Sequence, residues 1–354
     1  MTVNDLEVVY ALDFDGVLVD SAAETGRSGW RAARALFPHQ QWVKKGDKDD
    51  DDDDYQQQQQ QQQHLSDIIA RFIQVRPILY VGWESIVLCQ LLGDPALGSP
   101  SVARILKNFH GDDGGGACLK AKAMKHARLQ DEDYHHAFKE ARDAWIVENN
   151  GRDWIDAHGF FDGACRAVRD FLQTKRDAGS DSESANKHAN ERLYVITTKA
   201  KNFALSLLEQ QRLFDPNNPN DPTKIQESHI FGLGSGSKAS VLSNILADHD
   251  ERRRIDRDES EKISTQTNAS SNCQTIAVMV EDNIATLQKI ERSEIGDRVL
   301  NVVAPWGYNT AEQLRIATNE GYVSLRQDDS GSLKDIFDDT RVRELYSKRN
   351  TKKR

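Results

Sequence analysis

Apolar positions follow two different rhythms along this chain. From Val8 to Leu12 they run unbroken, VVYAL, and then stop at Asp13, Asp15 and Gly16. A short apolar run closed by turn residues fits a buried parallel strand, which places the two carboxylates at its carboxyl end. Side chains at i and i+2 of an extended chain point the same way, so Asp13 and Asp15 are expected side by side. Two like charges so placed are unfavourable unless something offsets them.

Between Ser21 and about His158 the rhythm is helical. Leu65, Ile68, Ile69, Phe72 and Ile73 recur at the 3.6-residue spacing, as do Ile86 with Leu88 to Leu92, and Val102, Ile105, Leu106 and Phe109. From Ala117 to Asn149 the composition suits long helices. The rhythm then changes again. An amphipathic helix over about 163–175 precedes the strand LYVITT at 193–198, and the helix NFALSLLEQQ follows. Next come a short HIFGLG strand and turn, a helix over 238–247, the strand TIAVMVED, a helix at about 284–290 and the strand VLNVVA. Strands alternating with helices of this length predict an α/β fold, a Rossmann-like parallel sheet with helices on both faces. The first strand lies before the helical block and the others after it. An all-helical domain, 21–157, is therefore expected to be inserted into an α/β core of 1–20 and 158–340, with 341–354 as a basic tail.

Several polar stretches interrupt these elements. Lys44 to Gln63 holds the runs DDDDDD and QQQQQQQQ, a composition that predicts a disordered insertion. Tested as an EF-hand from Asp47, it places Asp52 where glycine is needed and Gln58 where glutamate is needed, so the calcium reading fails. GDDGGG at 111–116, SDSESANKHAN at 180–190, DPNNPNDPT at 215–223 and the polar stretch from about 248 to 272 read as surface insertions.

Charge and cysteine content narrow the function classes. Of the formal net charge of −10, Asp47 to Asp54 supplies −6, leaving about −4 for the rest. That balance, with basic clusters confined to Arg252–Arg254 and the terminal TKKR, argues against a nucleic-acid partner. Cys89, Cys118, Cys165 and Cys273 are widely spaced and form no CxxC pair, which predicts reduced thiols. No apolar stretch is long enough to span a bilayer, and the first strand begins too early to leave a cleavable leader. A cytoplasmic protein without a membrane partner is the expectation; oligomeric state stays open.

In an open parallel sheet the ligand crevice lies outside the carboxyl ends of the strands. Those ends carry Asp13 and Asp15, Thr197 and Thr198, Glu281 and Asp282, and Pro305 to Tyr308. Four carboxylates converging there with two hydroxyls call for a divalent cation, and oxygen ligands of this kind suit Mg²⁺.

These residues resemble a known group. DFDGVLVDS, a threonine ending the second strand, a lysine opening a later helix and VED ending another strand are similar to the haloacid dehalogenase-like superfamily of phosphohydrolases. The insertion matches the cap position of its helical-cap class. VRPILYVGWE, WIDAHGFFDGA, VITTKAKNFALSLL, VEDNIATL and PWGYNT further resemble an uncharacterised branch found in photosynthetic organisms. The resemblance implies Asp13 as a nucleophile that forms an aspartyl-phosphate. Asp15 is implied as general acid and then base. Thr197, with Thr198 beside it, would hold the phosphoryl group and Lys238 would neutralise charge on it. Asp13, Asp15, Asp282 and Glu281 would form the Mg²⁺ site. The family's commonest pattern has a second aspartate four or five residues beyond the first, where this chain has Thr286 and Leu287.

Other readings of these and neighbouring residues stand beside this one. Lys199 or Lys201 could compete with Lys238 for the phosphate. GLGSGSK at 232–238 departs from a P-loop, because Ser237 and Ala239 flank the lysine. His135, His136 and His158 show no metal-site pattern. In the helical domain Arg76, Trp83 and Glu84 are candidates for reading the leaving group, with an ion pair and a packed aromatic as the alternative. The expectation is Mg²⁺-dependent hydrolysis of a small phosphorylated metabolite. A phosphomutase of the same fold, or a silent binding module, remains the alternative; dehalogenation is not expected because Asp15 is present.

Overall fold

The structure, a computed structural model, describes residues 6–38, 53–111, 118–177, 192–263 and 274–353. The chain divides into two compact units, Met1–Asp20 with Phe160–Arg354, and Ser21–Gly159. The first is built on six strands: β1 Glu7–Leu12, β2 Leu193–Ile196, β3 Ile230–Phe231, β4 Thr275–Glu281, β5 Val299–Val303 and β6 Val323–Ser324. Their order is β3-β2-β1-β4-β5-β6, and every pairing is parallel. This is the expected Rossmann-like α/β sheet, with β1 between β2 and β4.

The second unit is helical: α1 Ala22–Leu36, α2 Asp53–Val75, α3 Glu84–Gly93, α4 Val102–Asn108, α5 Leu119–Ala127, α6 Asp131–Val147 and α7 Arg152–Asp156. Phe72 and Ile68 of α2, Ile86, Val87 and Leu88 of α3, Ile105 of α4 and Tyr134 of α6 meet in one core. One expectation is corrected here. The Gln run does not interrupt structure: α2 begins at Asp53 and carries all of it. Glutamine is an unbranched, good helix former, and the apolar stripe from Ile68 to Val75 docks the helix that the run extends. The aspartates at 47–52 lie outside the described residues, as do 112–117, 178–191 and 264–273.

Around the sheet lie α8 Asp162–Asp177, α9 Lys201–Gln210, α10 Lys238–Ile263, α11 Ile284–Glu291, α12 Ala311–Asn319 and α13 Asp339–Lys353. Val9 and Ala11 of β1 pack in a cluster with Val241, Leu242 and Ile245 of α10 and Ile284 and Leu287 of α11. Tyr10, between them in sequence, turns to the other face, against Phe171 of α8 and Phe337. Burial on both faces is why VVYAL is apolar without alternation.

Two further expectations change. Helix α10 continues past Ala247 to Ile263, because its charged residues are mostly straight-chain helix formers. The terminal segment is no loose basic tail. Helix α13 buries Val342 and Tyr346, the Tyr346 hydroxyl donates to Asp297 O at 2.7 Å, and Arg349 donates to Gly296 O at 2.8 Å. Positions 342, 346 and 349 share one helix face, a stripe masked in the sequence by the basic residues around it. Among the described residues no helix is long and apolar enough to cross a membrane.

Candidate active site

Parallel register assembles the site. Leu12, the last residue of β1, pairs with Val195 on β2 and Val280 on β4. The next N–H, of Asp13, donates to Val280 O at 2.8 Å, so Asp13 lies level with Glu281 at the end of β4, and Asp282 follows. Asp13, Glu281 and Asp282 are buried, and each offers a carboxylate oxygen within 4.8 Å of the others. Lys238, the first residue of α10, sets its Nζ 2.6 Å from Asp13 Oδ1 and 2.6 Å from Glu281 Oε2.

The electrostatics follow from burial and crowding. Burial, and then the charge of Glu281, hold the Asp13 carboxyl well above the usual carboxylate range, although Lys238 opposes both. Glu281 is also raised, by burial first and by Asp282, again against Lys238. Burial works against the Lys238 charge, yet Asp13 and Glu281 more than offset it and keep the ammonium protonated. The Lys238 ammonium thus meets two of three clustered, buried carboxylates. A divalent cation with oxygen ligands fits this donor set: its charge would relieve the excess that pushes Asp13 upward.

Asp15 departs from its expected place. It is not among the carboxylates of that cluster; its Oδ1 lies 3.4 Å from Lys199 Nζ. The extended backbone ends at Leu12, and Phe14 O accepts from both Leu18 N–H and Val19 N–H in a tight turn, so the i and i+2 rule no longer applies. The carboxylate that raises Asp13 is Glu281. In this structure the Asp15 carboxylate thus stands beside Lys199, apart from the group formed by Asp13, Glu281 and Asp282.

The end of β2 supplies hydroxyls. Thr197 N–H donates to Phe231 O at 2.8 Å, and Thr197 Oγ1 accepts the Lys199 N–H at 3.0 Å, which leaves its own proton to donate outward. Thr198 is exposed beside it.

The PWGYN segment after β5 encloses Asp282. Tyr308 N–H donates to Asp282 Oδ2 at 2.7 Å, the Tyr308 hydroxyl donates to Asp20 Oδ1 at 2.9 Å, and Trp306 Nε1 donates to Val17 O at 3.2 Å. A Cβ on Gly307 would stand 2.4 Å from Gly16 O and 2.5 Å from Asp282 Cβ, so only glycine allows this approach. Sequence reasoning placed the loop here but not its main-chain bond to Asp282. Asn283 explains the departure at 286–287: its N–H donates to Glu281 Oε1 at 3.0 Å and its Oδ1 accepts Thr286 N–H at 3.2 Å, capping α11. Leu287 is then turned fully into the core, where a carboxylate could not sit.

In the helical unit Glu84 is structural. It is 2% exposed, its carboxylate accepts Tyr80 N–H at 2.8 Å and Val81 N–H at 3.3 Å, and Lys120 Nζ lies 2.8 Å from it. Those three donors fix the turn before α3, and the ion pair with Lys120 is the alternative the sequence offers for Glu84. Trp83 packs against Tyr134 and lies 4.4 Å from Lys120 Nζ, measured from its ring centroid. Arg76 opens the short turn Arg76–Ile78, with a guanidinium nitrogen 3.5 Å from Leu79 O.

No family model and no curated protein matches this chain. Among solved structures it is similar to a protein from Clostridium difficile provisionally assigned as a phosphatase, with 13% identity over 94% of this chain and 98% of the other, at a TM-score of 0.44. A protein from Lactobacillus delbrueckii subsp. bulgaricus, provisionally assigned as a phosphoglycolate phosphatase, shows 14% identity over 93% and 97% at a TM-score of 0.40. Likenesses this remote carry no argument about chemistry, and the finer resemblance to a branch from photosynthetic organisms finds no support in them.

Proposed function

We propose that this chain is a haloacid dehalogenase-like phosphohydrolase that cleaves a small phosphomonoester through an aspartyl-phosphate on Asp13, with Mg²⁺ as cofactor. The observation that carries the reading is the Lys238 ammonium seated 2.6 Å from both Asp13 and Glu281, with Asp282 beside them, at the carboxyl edge of a parallel sheet.

In the first half-reaction an Asp13 oxygen bonds to phosphorus and the ester P–O bond breaks. The electron pair goes to the leaving oxygen, which takes a proton from the Asp15 carboxyl. In the second, water attacks phosphorus, Asp15 takes its proton, and the bond from Asp13 to phosphorus breaks to release phosphate. The Thr197 hydroxyl donates to a phosphoryl oxygen while Lys238 meets the negative charge between Asp13 and the phosphoryl group. Asp13, Asp282 and Glu281 would hold Mg²⁺, which supplies charge neutralisation for the carboxylates and phosphoryl oxygens.

Phosphate release from p-nitrophenyl phosphate with Mg²⁺, by the wild type and by Asp13→Asn, tests this. Turnover by the wild type and none by the variant is expected. Equal rates in the two proteins, or no release from any phosphomonoester by the wild type, would overturn the proposal.

A further inference from the structure

Tyr308 is tied to the site at both of its ends. Its N–H donates to Asp282 Oδ2 at 2.7 Å, and its hydroxyl donates at 2.9 Å to Oδ1 of Asp20, which closes the turn that Asp13 opens. Within that turn Val17 O accepts Trp306 Nε1–H at 3.2 Å. The loop that carries both aromatics is itself held, with Ala304 N–H donating to Glu281 O at 3.0 Å and Asn309 Nδ2 to Ala304 O at 3.0 Å. Close packing leaves the carboxylate little room to swing: a Cβ on Gly307 would stand 2.8 Å from Asp282 Oδ2, and one on Gly16 2.0 Å from it.

From this geometry we infer that Tyr308 is a positioning residue that braces Asp282 against the turn carrying Asp13 and so makes the site selective for Mg²⁺ over Ca²⁺. The inference rests on the cation site proposed above and deepens it. The sheet fixes where the backbones of Asp13 and Asp282 lie; the loop fixes where the Asp282 carboxylate stands relative to that turn. Mg²⁺ demands a near-ideal octahedron of oxygens, whereas Ca²⁺ accepts irregular ligand sets. A braced carboxylate suits the first ion, and slack in the brace therefore costs Mg²⁺ more than Ca²⁺. Tyr308 acts through Asp282, as residues that orient a metal ligand from behind generally do.

The test uses the full chain, with MgCl₂ and CaCl₂ titrated separately and each Kd taken from the rise in Tm. Tyr308→Phe keeps the main-chain N–H and removes only the hydroxyl. It is expected to raise the Kd for Mg²⁺ about tenfold and that for Ca²⁺ by less than about threefold. Asp20→Ala removes the acceptor of the same hydrogen bond and should lose the same selectivity; it also carries the test if Tyr308→Phe does not fold. Because both substitutions break one bond, the double variant should lose little more than either single variant. Wild-type affinities in the variants, equal losses for the two ions, or losses that add in the double variant would overturn the inference while Mg²⁺ binding and the dependence on Asp13 stand. A wild type whose Tm does not answer to Mg²⁺ would instead strike the cation site itself, and the inference with it.

Discussion

Gly16 and Asp282 are packed so closely that a Cβ built on Gly16 would stand 2.0 Å from Asp282 Oδ2. Gly16 also holds a φ of +91°, a backbone state that side-chain-bearing residues rarely adopt. The glycine behind the two aspartates therefore does two jobs: it lets the chain turn after β1, and it admits the carboxylate from β4. Gly16→Ala is expected to cost about 1–2 kcal/mol from backbone strain alone. It should also displace Asp282 and abolish any stabilisation by Mg²⁺. A denaturant titration with and without MgCl₂ reads both effects, and a variant as stable and as responsive as wild type would contradict the packing argument.

Binding of a cation to the folded site raises stability by mass action. At a Mg²⁺ concentration of 100 times Kd the gain is about 2.7 kcal/mol, seen as a rise in Tm that needs no substrate. Asp282→Asn keeps an oxygen to accept the Tyr308 N–H but removes the charge, so its Tm should not respond to Mg²⁺. A Tm in the wild type that does not move between chelator and saturating MgCl₂ would count against Asp13, Glu281 and Asp282 as a cation site.

How far the sequence disclosed this site depends on which physical signal each residue left. Asp13, Lys238, Glu281 and Asp282 were legible because each follows or opens an element whose apolar rhythm is strong, and parallel sheets gather strand ends. Asp15 stands apart from the carboxylate group because the two-residue alternation ends with Leu12, the last extended residue. Lys199 left no signal that separated it from Lys201; only the turn after β2 shows which one faces Asp15. The Tyr308 contact runs through main chain, which side-chain patterning cannot reveal. Composition hides three helical segments. Polar, charged sequence suggests loop or tail at 53–63, 248–263 and 341–353, whereas glutamine, glutamate, lysine and arginine are good helix formers when an adjoining apolar stripe can dock.

At the opposite end of β1, Glu7 provides a pH-dependent contribution to stability. Burial pushes its carboxyl up, but the hydrogen bond and charge of His249, with Arg253 and Arg192, outweigh that and hold it below the usual glutamate range. His249 Nδ1 lies 3.3 Å from Glu7 Oε1, and the Thr275 hydroxyl donates to Glu7 Oε2 at 3.3 Å. A carboxylate with a depressed folded pKa contributes stability above its unfolded value, near 4.5, and loses it as pH falls through the folded value. Glu7→Gln should therefore be less stable than wild type by about 1 kcal/mol at neutral pH. Unfolding midpoints across pH 3 to 7 are expected to converge toward the acid end; a gap that stays constant with pH would assign the loss to packing.

The helical unit contains a charge with far more at stake. Glu24 on α1 is fully buried, and its carboxylate is gripped in bidentate fashion by Arg142 of α6, Nε to Oε1 at 2.8 Å and Nη2 to Oε2 at 2.6 Å. The Ser28 hydroxyl donates to Oε1 at 2.9 Å and the Trp154 Nε1–H at 3.0 Å, so α1, α6 and α7 meet on one anion. Taking away the guanidinium removes the bidentate counter-charge from that anion in a dry interior, where His158 Nε2 lies 3.8 Å from Oε2, and Arg142→Ala is expected to cost about 3–5 kcal/mol. Replacing both partners removes the stranded charge together with its cause. The double variant Glu24→Met, Arg142→Met should consequently be more stable than the single variant Arg142→Met, a non-additivity that the cycle completed by Glu24→Met reads directly in urea unfolding. If Arg142→Ala cost less than about 1 kcal/mol, the pair would behave as a solvent-exposed bridge and the anion would not be what draws the three helices together.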